Sequence, residues 1–451
     1  MTLDKQLVRL GLFDARVPRY TSYPTAPHFA GGVDPQRFTD WIEAIPEGAE
    51  ISLYVHVPFC RRLCWFCACR TQGTSSDDPV IAYAQTLRTE IALLARHLPP
   101  GVRLSRLHWG GGTPTILPPA EISALAKAIF AVAPMAPGGE FSVEIDPNEI
   151  DDARLDALAA AGMNRASIGV QDFDPLIQKA IGRIQDYTLT RDVAEAIRVR
   201  GVQSLNADIL YGLPHQTPER ISASVRQLLS LSPDRVALYG YAHVPWMSRR
   251  QQMIPSHAMP TPEERLQLFE TARQMFVEAG YDEIGIDHFA KPSDGMAKAL
   301  RAGQLRRNFQ GYTDDQAQAL IGLGASSISR FPQGYAQNAS ATAAHTKAIR
   351  SGAFSTHRGH VFDGDDRLRG RIIEALMCDF RVDRAELTRD HDADPVWLDE
   401  LFAEAAAPFG EMVNLQDGVF SIPEPARPLT RIIARAFDAY DPNKAQHSAA
   451  I

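Results

Sequence analysis

The sequence predicts an α/β protein in which helices cover a parallel sheet. Short apolar runs recur along the chain, and helical segments with caps separate them. Near-continuous apolar strands are typical of parallel sheets that are buried on both faces. Such β–α units fit a partial or full β/α barrel, and a flat doubly wound sheet fits the pattern equally well. The predicted strands lie at residues 51–57, 105–109, 141–146, 165–170, 205–211 and 235–241.

The helices are predicted from their ends. Asp151 begins a helix that Gly162 ends. The segment Thr261–Glu264 is a capping box with proline at the first helical position, and Gly280 ends that helix. The other predicted helices lie near residues 79–97, 119–132, 187–200 and 218–230.

The ends of the chain differ in character from the β–α region. We expect an N-terminal extension over 1–50, a catalytic region over 51–350 and a smaller, mainly helical C-terminal domain over 351–451. The last of these contains a hairpin-like piece at 412–422, and the tail at 444–451 is expected to fray.

Composition excludes several classes of protein. Of the 451 residues, 45% are apolar and 22% are charged, the balance of an ordinary soluble globular protein. The formal charge of −8 makes a poor general nucleic-acid binder. The sequence has neither a run approaching the ~18 apolar residues of a membrane helix nor a signal-peptide core. We therefore expect a cytoplasmic enzyme that binds no nucleic acid and does not insert into membranes.

The cysteines indicate a metal site. Of five cysteines, four crowd one short loop, whereas disulfides would join distant loops. The fifth, Cys378, lies in an apolar helical pattern and is expected to be a small core residue. The loop residues are Cys60, Cys64, Cys67 and Cys69.

The spacing of the cysteine loop favours an iron–sulfur cluster. The first three cysteines form C-x3-C-x2-C, which can hold three corners of a [4Fe–4S] cubane and leave one iron open. Zinc is the alternative, because sites with four cysteine ligands are common. Structural zinc sites usually use two separated C-x2-C pairs, and this loop instead carries Trp65 and Phe66 between its cysteines.

Polar or glycine-rich segments follow successive predicted strands. Glycines 110–112 let the backbone approach a ligand closely, although their spacing is neither that of a dinucleotide fingerprint nor that of a P-loop. Glu144 and Gln171 lie at the ends of the next two strands, and the strand after them carries Asp208. Because barrel active sites lie at the carboxyl ends of the strands, this rim is the predicted site.

These motifs carry a family resemblance. The cysteine loop after YVHVPF resembles that of the radical S-adenosylmethionine (SAM) enzymes, and the fuller set resembles the oxygen-independent coproporphyrinogen III oxidase family. The resemblance runs from about Arg19 to about Tyr440 and implies a partial (β/α)6 radical SAM barrel. The motifs are PRYTSYPTA (18–26), HWGGGTPT (108–115), VEIDP (143–147), GVQDF (169–173), DILYGLP (208–214), YAHVP (241–245), DHFA (287–290), NFQGYT (308–313), GLGASSIS (322–329) and YAQN (335–338).

The resemblance implies the cofactors and their ligands. Cys60, Cys64 and Cys67 match the ligands of the [4Fe–4S] cluster, whose open iron would bind one of two SAM molecules. The positions that match contacts of the first SAM are Tyr54, Gly111, Glu144 and Ile328. Those that match contacts of the second are Phe66, Gly112, Thr113, Gln171, Arg183, Asp208 and Ala242.

The resemblance also implies the reaction. One electron splits SAM into methionine and a 5′-deoxyadenosyl radical, which takes a hydrogen from the β-carbon of a propionate. Loss of CO2 and of a further electron then leaves a vinyl group. Two propionates of coproporphyrinogen III react in this way, giving protoporphyrinogen IX, with an unidentified electron donor and acceptor. The family also implies a monomer.

Catalytic and substrate-binding residues are predicted around this chemistry. Cys69 is expected to lie near the reaction without binding the cluster, and Tyr54 and Gln310 are further catalytic candidates. We expect the segments that carry Gln310 and Tyr20 to help close the substrate pocket. His56 is expected on the strand face of Tyr54, either supporting the cofactors or as a core histidine. Candidates for holding propionates are Arg183, Arg306, Arg307, Lys291 and Arg19.

Two other functions stay open at this point. A haem-binding or haem-delivery relative would share the fold but lack both a cysteine at position 69 and the N-terminal extension, and would carry HNxxYW. This chain has Cys69 and the extension, and reads RRNFQGY over 306–312. A zinc protein on a barrel scaffold would have no reason to place Glu144, Gln171 and Asp208 along the rim.

Overall fold

The computed structural model describes residues 3–440 and divides the chain into two compact units. The barrel unit comprises residues 30–259 and 317–361. The terminal unit takes its described residues from 3–29, 260–316 and 362–440. The predicted boundaries at residues 50 and 350 stay predictions.

The barrel unit contains the predicted parallel strands. Each strand pairs in parallel with the next along the chain, in the order β1-β2-β3-β4-β5-β6. The partial barrel predicted from the sequence is confirmed. The strands are β1 (Glu50–Val57), β2 (Arg103–Gly111), β3 (Met135–Ile145), β4 (Arg165–Gln171), β5 (Ser204–Tyr211) and β6 (Arg235–Gly240).

Helices alternate with these strands, and their caps follow the sequence. The Asp151 side chain accepts a hydrogen bond from the Arg154 amide at 2.8 Å, and Gly162 has a φ of 91° beyond the end of that helix. The helices are α1 (Pro35–Glu43), α2 (Asp78–Leu94), α3 (Pro119–Val132), α4 (Asp152–Ala160), α5 (Pro175–Ala180), α6 (Tyr187–Val199), α7 (Pro218–Ser230) and α8 (Thr342–Arg350).

Strands after residue 317 extend the sheet beyond the predicted ones. β7 (Leu320–Leu323) pairs in parallel with β1. The antiparallel strands β8 (Ile328–Phe331), β9 (Gly334–Asn338) and β10 (Thr356–Val361) follow it in order. These strands were not predicted from the sequence, because segments this short, interrupted by glycine, give too little apolar periodicity.

The strands bury apolar side chains on one face and carry polar ones on the other. In β1, Leu53 and Val55 are buried, and they alternate with Tyr54 and His56. Trp109 in β2 is likewise fully buried and stacks edge-on against Phe141. The polar face of the strands carries the residues of the candidate site.

The terminal unit has its own hydrophobic core. Cys378 is fully buried there, as predicted, and Tyr20 and Tyr23 also pack into a buried cluster. Both halves of the capping box at Thr261 are formed, and the predicted hairpin is present. Its helices are Leu3–Arg9, Pro262–Glu278, Gly295–Arg301, Asp366–Asp379, Arg384–His391, Pro395–Ala406 and Thr430–Arg435. Its strands are Asp282–Ile284, His288–Ala290, Arg306–Asn308, Gly311–Thr313, Arg381–Asp383, Asn414–Gln416 and Val419–Ser421.

Across residues 3–440, the structure has no helix with the length and apolar composition that a membrane crossing requires. The tail at 444–451, which the sequence predicts to fray, lies outside the described residues.

Candidate active site

The cysteine loop leaves the carboxyl end of β1. A short strand, Phe59–Cys60, pairs in parallel with Gln72–Gly73 and closes the base of the loop. Cys64 is buried, Cys60 and Cys67 are half-buried and Cys69 is exposed. The loop therefore presents its cysteines at the strand-end rim that the sequence predicts as the site.

The first two thiols of the loop are held in a partly buried, polar setting. Burial raises the pKa of Cys60 to about 11, although the Thr113 hydroxyl, 3.6 Å from its Sγ, favours the thiolate. Burial also raises the pKa of Cys64, against the opposing effect of the Arg183 guanidinium, whose Nη1 lies 3.6 Å from the sulfur. Cys60, Cys64 and Cys67 lie close enough for each thiolate to disfavour the others. A metal centre is the group that stabilises several neighbouring thiolates at once.

Cys69 interacts with Cys67. The hydrogen bond from Cys69 lowers the pKa of the Cys67 thiol to about 6, and the Cys69 backbone amide lies 3.4 Å from the same sulfur. The pKa of Cys69 is raised correspondingly. Cys69 therefore contacts a predicted cluster ligand through its backbone amide, which is compatible with its predicted role as a non-ligand.

The glycine-rich loop after β2 packs directly on the cysteine loop. Gly111 has a φ of 115°, and a Cβ there would lie 2.6 Å from the His56 ring. A Cβ on Gly112 would lie 2.6 Å from the Phe59 carbonyl oxygen. No side chain fits at these two positions, and the expected approach of their backbone to a ligand stays a prediction. The close contact joins the two loops, since the Thr113 amide donates to the Phe59 carbonyl at 2.8 Å.

Glu144 is an anion held beside the tyrosine and histidines of β1 and β2. Burial disfavours its charge, but hydrogen bonds from His108 Nε2 at 3.2 Å and from the Gly111 amide at 3.0 Å lower its pKa. The Tyr54 ring stacks on His108, with centroids 5.7 Å apart, and its hydroxyl hydrogen-bonds His56 Nδ1 at 2.9 Å. The predicted placement of His56 on the face of Tyr54 is confirmed.

Arg183 ties the cysteine loop to the ends of β3 and β4. Its guanidinium contacts the Asp146 carboxylate at 3.2 Å, the Gly169 carbonyl at 3.0 Å and the Gln185 side chain at 3.0 Å. Burial lowers the pKa of Arg183, but Asp146 and Cys64 outweigh it and raise the pKa overall. Its Nε is buried and has no hydrogen-bond partner within residues 3–440. This nitrogen is one donor that a bound molecule can satisfy.

Further predicted SAM contacts lie on β4, on β5 and just after β6. Gln171 ends β4 in the left-handed region, with a φ of 69°. Asp208 in β5 accepts a hydrogen bond from Asn206 Nδ2 at 2.8 Å. Ala242 follows β6 and is half-buried. All three lie in the barrel unit with the cysteine loop, and Ile328 begins β8 of the same unit.

Gln310 belongs to the terminal unit. It lies in the turn between strands Arg306–Asn308 and Gly311–Thr313, and its backbone amide donates to the Asn308 side chain at 2.9 Å. The Oε1 atom is buried and has no hydrogen-bond partner among the described residues. Tyr20 is also in the terminal unit, buried in the core with its hydroxyl 3.0 Å from Asp438 Oδ2. Its burial gives Tyr20 a packing role.

The structure distinguishes the basic candidates for propionate binding. Arg183 is committed to Asp146, so it is a poor candidate for holding a carboxylate of the substrate. Arg307 is buried in the terminal unit, with its guanidinium 4.4 Å from the centroid of the Tyr312 ring. Arg19, Lys291 and Arg306 belong to the same unit.

Sequence reasoning missed several residues that shape the site. His108 faces Tyr54 in the register of β1 and β2, a relationship that period-2 alternation signals once the strand pair is known. Gln185 contacts the site from a loop and Gln251 from the 3-10 helix Arg249–Met253, and no spacing in the sequence points to them.

The residues present fit a [4Fe–4S] cluster. A cubane attaches each thiolate to a different iron, so its ligands need not converge on one point. Within residues 3–440, no three His, Cys, Asp or Glu side chains form a site for a single metal ion. The Thr113 hydroxyl and the Arg183 guanidinium beside the sulfurs suit anionic thiolate ligands.

The partial barrel and its cysteine loop define a radical SAM protein. Residues 54–228 match the radical SAM superfamily. The chain is 65% identical, over 451 residues and 100% of both chains, to the oxygen-independent coproporphyrinogen III oxidase of Paracoccus denitrificans. It is 36% identical, over 98% of this chain and 97% of the relative, to the enzyme of that name from Escherichia coli.

A solved structure agrees with this relationship. The radical SAM enzyme coproporphyrinogen III oxidase from Escherichia coli superposes with a TM-score of 0.89 at 36% identity, covering 95% of this chain and 100% of that one. This chain belongs to the oxygen-independent coproporphyrinogen III oxidase family. Its cofactors are a [4Fe–4S] cluster and SAM.

Proposed function

We infer that this protein converts coproporphyrinogen III to protoporphyrinogen IX by oxidative decarboxylation of two propionate side chains without oxygen. The observation that supports this function best is the sequence identity, over nearly the full chain, to enzymes named oxygen-independent coproporphyrinogen III oxidase. The cysteine loop and the polar rim of the barrel unit supply the residues that this chemistry needs. The reaction belongs to haem biosynthesis.

The cluster and SAM together supply hydrogen-atom abstraction from the substrate when they are bound. Cys60, Cys64 and Cys67 would hold the cluster. Thr113 and Arg183 stabilise the negative charge of its ligands through their contacts with the sulfurs of Cys60 and Cys64.

The residues proposed to hold the first SAM surround Glu144. Its carboxylate is anionic and suits the ammonium group of SAM, and Tyr54 stacks on His108 beside it. Gly111 fixes Glu144 through its backbone amide. Ile328, at the start of β8, supplies an apolar contact.

A second SAM is proposed along the ends of the next strands. Asp208 suits the ribose hydroxyls, because a carboxylate accepts two hydrogen bonds. Arg183 offers its buried Nε. The full set is Phe66, Gly112, Thr113, Gln171, Arg183, Asp208 and Ala242.

Three residues are proposed to act on the substrate or next to it. The Cys69 backbone amide lies 3.4 Å from the Cys67 sulfur, so we place Cys69 beside the cluster as a non-ligand. Tyr54 orients the first SAM, and Gln310 offers its buried amide oxygen to the substrate.

The electron donor and the final acceptor are unidentified partners in this proposal. A monomeric state and a cytoplasmic location stay predictions. The cytoplasmic location is supported by the four cysteines in one loop, since free cysteines persist in a reducing compartment.

An anaerobic assay tests the function. The reconstituted protein receives SAM, a reductant and coproporphyrinogen III, and protoporphyrin, CO2 and 5′-deoxyadenosine are measured together. We expect all three products, and their loss in Cys64→Ser. Cleavage of SAM without a porphyrin product would contradict the proposal that coproporphyrinogen III is the substrate. Absence of SAM cleavage with retention of haem would instead favour a haem-delivery protein.

A further inference from the structure

Three side chains that follow β6 bind backbone carbonyls of the cysteine loop. Ser248 Oγ donates to the Cys67 carbonyl at 3.0 Å, and Arg250 Nη2 donates to the Cys69 carbonyl at 3.3 Å. Gln251 Nε2 donates to the Phe66 carbonyl at 2.7 Å. We call Ser248, Arg250 and Gln251 the loop clamp.

Gln251 is the central member of the loop clamp. Its side chain is fully buried, and its Nε2 also donates to the Ala242 carbonyl at 3.1 Å. Its Oε1 accepts from the Val244 amide at 2.5 Å. One amide group thus joins the middle of the cysteine loop to the turn after β6, and both of its N–H donors are used.

The cysteine loop depends on such contacts for its order. Between the cysteines, its own backbone contributes a bond from the Cys67 amide to the Cys64 carbonyl at 3.3 Å. The part-buried carbonyls of residues 66 and 242 would lose a partner without the buried Gln251 amide, and each loss costs free energy. A loop held from outside in this way has its conformation set before any ligand binds.

We propose that Gln251 is a positioning residue with two effects. It holds the cysteine loop in the conformation that binds the cluster, and it fixes the distance between that loop and Ala242. The first part stands on the hydrogen bonds alone. The second part rests on the proposed function, in which Phe66 and Ala242 both contact the second SAM. Both of these residues offer their carbonyls to the same nitrogen, so a shift of Gln251 moves two sides of that SAM site together.

Hydrogen–deuterium exchange of the full-length apoprotein tests the first part. Gln251→Leu removes the donors, and Gln251→Glu keeps the length but directs an oxygen toward two carbonyls. In both variants we expect amide exchange over residues 60–71 to be about tenfold faster, as loss of a buried hydrogen bond predicts. Exchange in β2 should be unchanged. Gln252→Leu, at the exposed neighbouring position, is the matched control and should match the wild type.

Wild-type exchange over 60–71 in both Gln251 variants would overturn the proposal. If these variants do not fold, Ser248→Ala removes one contact of the clamp from a half-buried position. It is expected to speed exchange at residues 66–69, and unchanged exchange there would count against the clamp.

Coupling of SAM cleavage to decarboxylation tests the second part. In reconstituted Gln251→Leu, we expect the ratio of 5′-deoxyadenosine to CO2 to be about doubled, because misplaced groups react unproductively. A wild-type ratio with faster loop exchange would overturn the role toward the second SAM. Failure of the wild-type protein to cleave SAM would instead count against the proposed function and leave the exchange result standing.

Discussion

The guanidinium of Arg183 lies 3.6 Å from the sulfur of Cys64. Arg183 is anchored by Asp146 on its other side, so the cation is fixed beside the predicted cluster ligand. A buried positive charge next to a thiolate ligand stabilises the more negative, reduced state of a cluster.

Arg183→Met is therefore expected to make the cluster harder to reduce. The reduction potential should become more negative by on the order of 50 mV, somewhat less than a tenfold change in the equilibrium. A potentiometric titration followed by electron paramagnetic resonance measures it. Arg191→Met, at an exposed position on α6, is the control. An unchanged potential in Arg183→Met would show that Asp146 already cancels the charge.

Glu144→Gln is expected to weaken binding of SAM. The neutral amide can still accept a hydrogen bond from the Gly111 amide, but it loses the charge that suits an ammonium group. Loss of a charge-assisted hydrogen bond predicts about 10- to 100-fold weaker binding. Equilibrium dialysis of SAM against the reconstituted protein measures this. Glu400→Gln, an exposed position, should bind as the wild type does, and equal binding by Glu144→Gln would remove this residue from the site.

Cys69→Ser is expected to retain the cluster and lose activity. Only three of the four loop cysteines are predicted ligands, so iron analysis should still find about four irons per chain. Cys64→Ser is the comparison and should lose most of its iron. Loss of the cluster from Cys69→Ser to the same extent would make Cys69 a ligand.

The stability of the apoprotein is expected to depend on Asp172. This carboxylate is fully buried and accepts hydrogen bonds from Ser224, Gln216 and the Asp174 amide at 2.7–2.8 Å. Burial nevertheless raises its pKa to about 6. The folded state therefore binds a proton more tightly than the unfolded chain does, and this group's contribution to stability falls as the pH rises from about 4 to about 6.

Asp172→Asn removes this dependence of stability on pH. It also places an amide N–H group against the hydrogen-bond donors that Asp172 accepts from. We expect a loss of about 2 kcal/mol at pH 7, since buried donors are left without an acceptor. Thermal midpoints at several pH values measure both effects. A wild-type midpoint for the variant at pH 7, or an unchanged pH dependence, would contradict this prediction.

Gln310→Ala is expected to lower turnover without affecting the cluster. Its buried Oε1 has no hydrogen-bond partner in residues 3–440, which suits a group that contacts substrate. Removing a single such hydrogen bond predicts about a tenfold loss in kcat/KM. Gln304→Ala, an exposed position in the same unit, is the control. Wild-type kcat/KM in Gln310→Ala would exclude this contact.

The sequence was most informative where local rules dominate. The strands, capped helices and cysteine spacing each follow from a few neighbouring residues. They predicted alternating strands and helices, whereas the choice of a partial barrel over a flat sheet came from the family resemblance. The contacts of Arg183 with Asp146 and of Gln251 with Phe66 join distant segments, so no local pattern reveals them. The glycines at 111 and 112 show a different limit, since glycine indicates a close approach without saying what approaches.

The alternation of β1 has a consequence for how this protein can change. Leu53 and Val55 serve the packing, while Tyr54 and His56 serve the site from the opposite face. Substitutions on the inner face therefore leave the packing against the helices intact. A change at Tyr54 or His56 therefore alters the candidate site, whereas a change at Leu53 or Val55 alters the packing of the sheet.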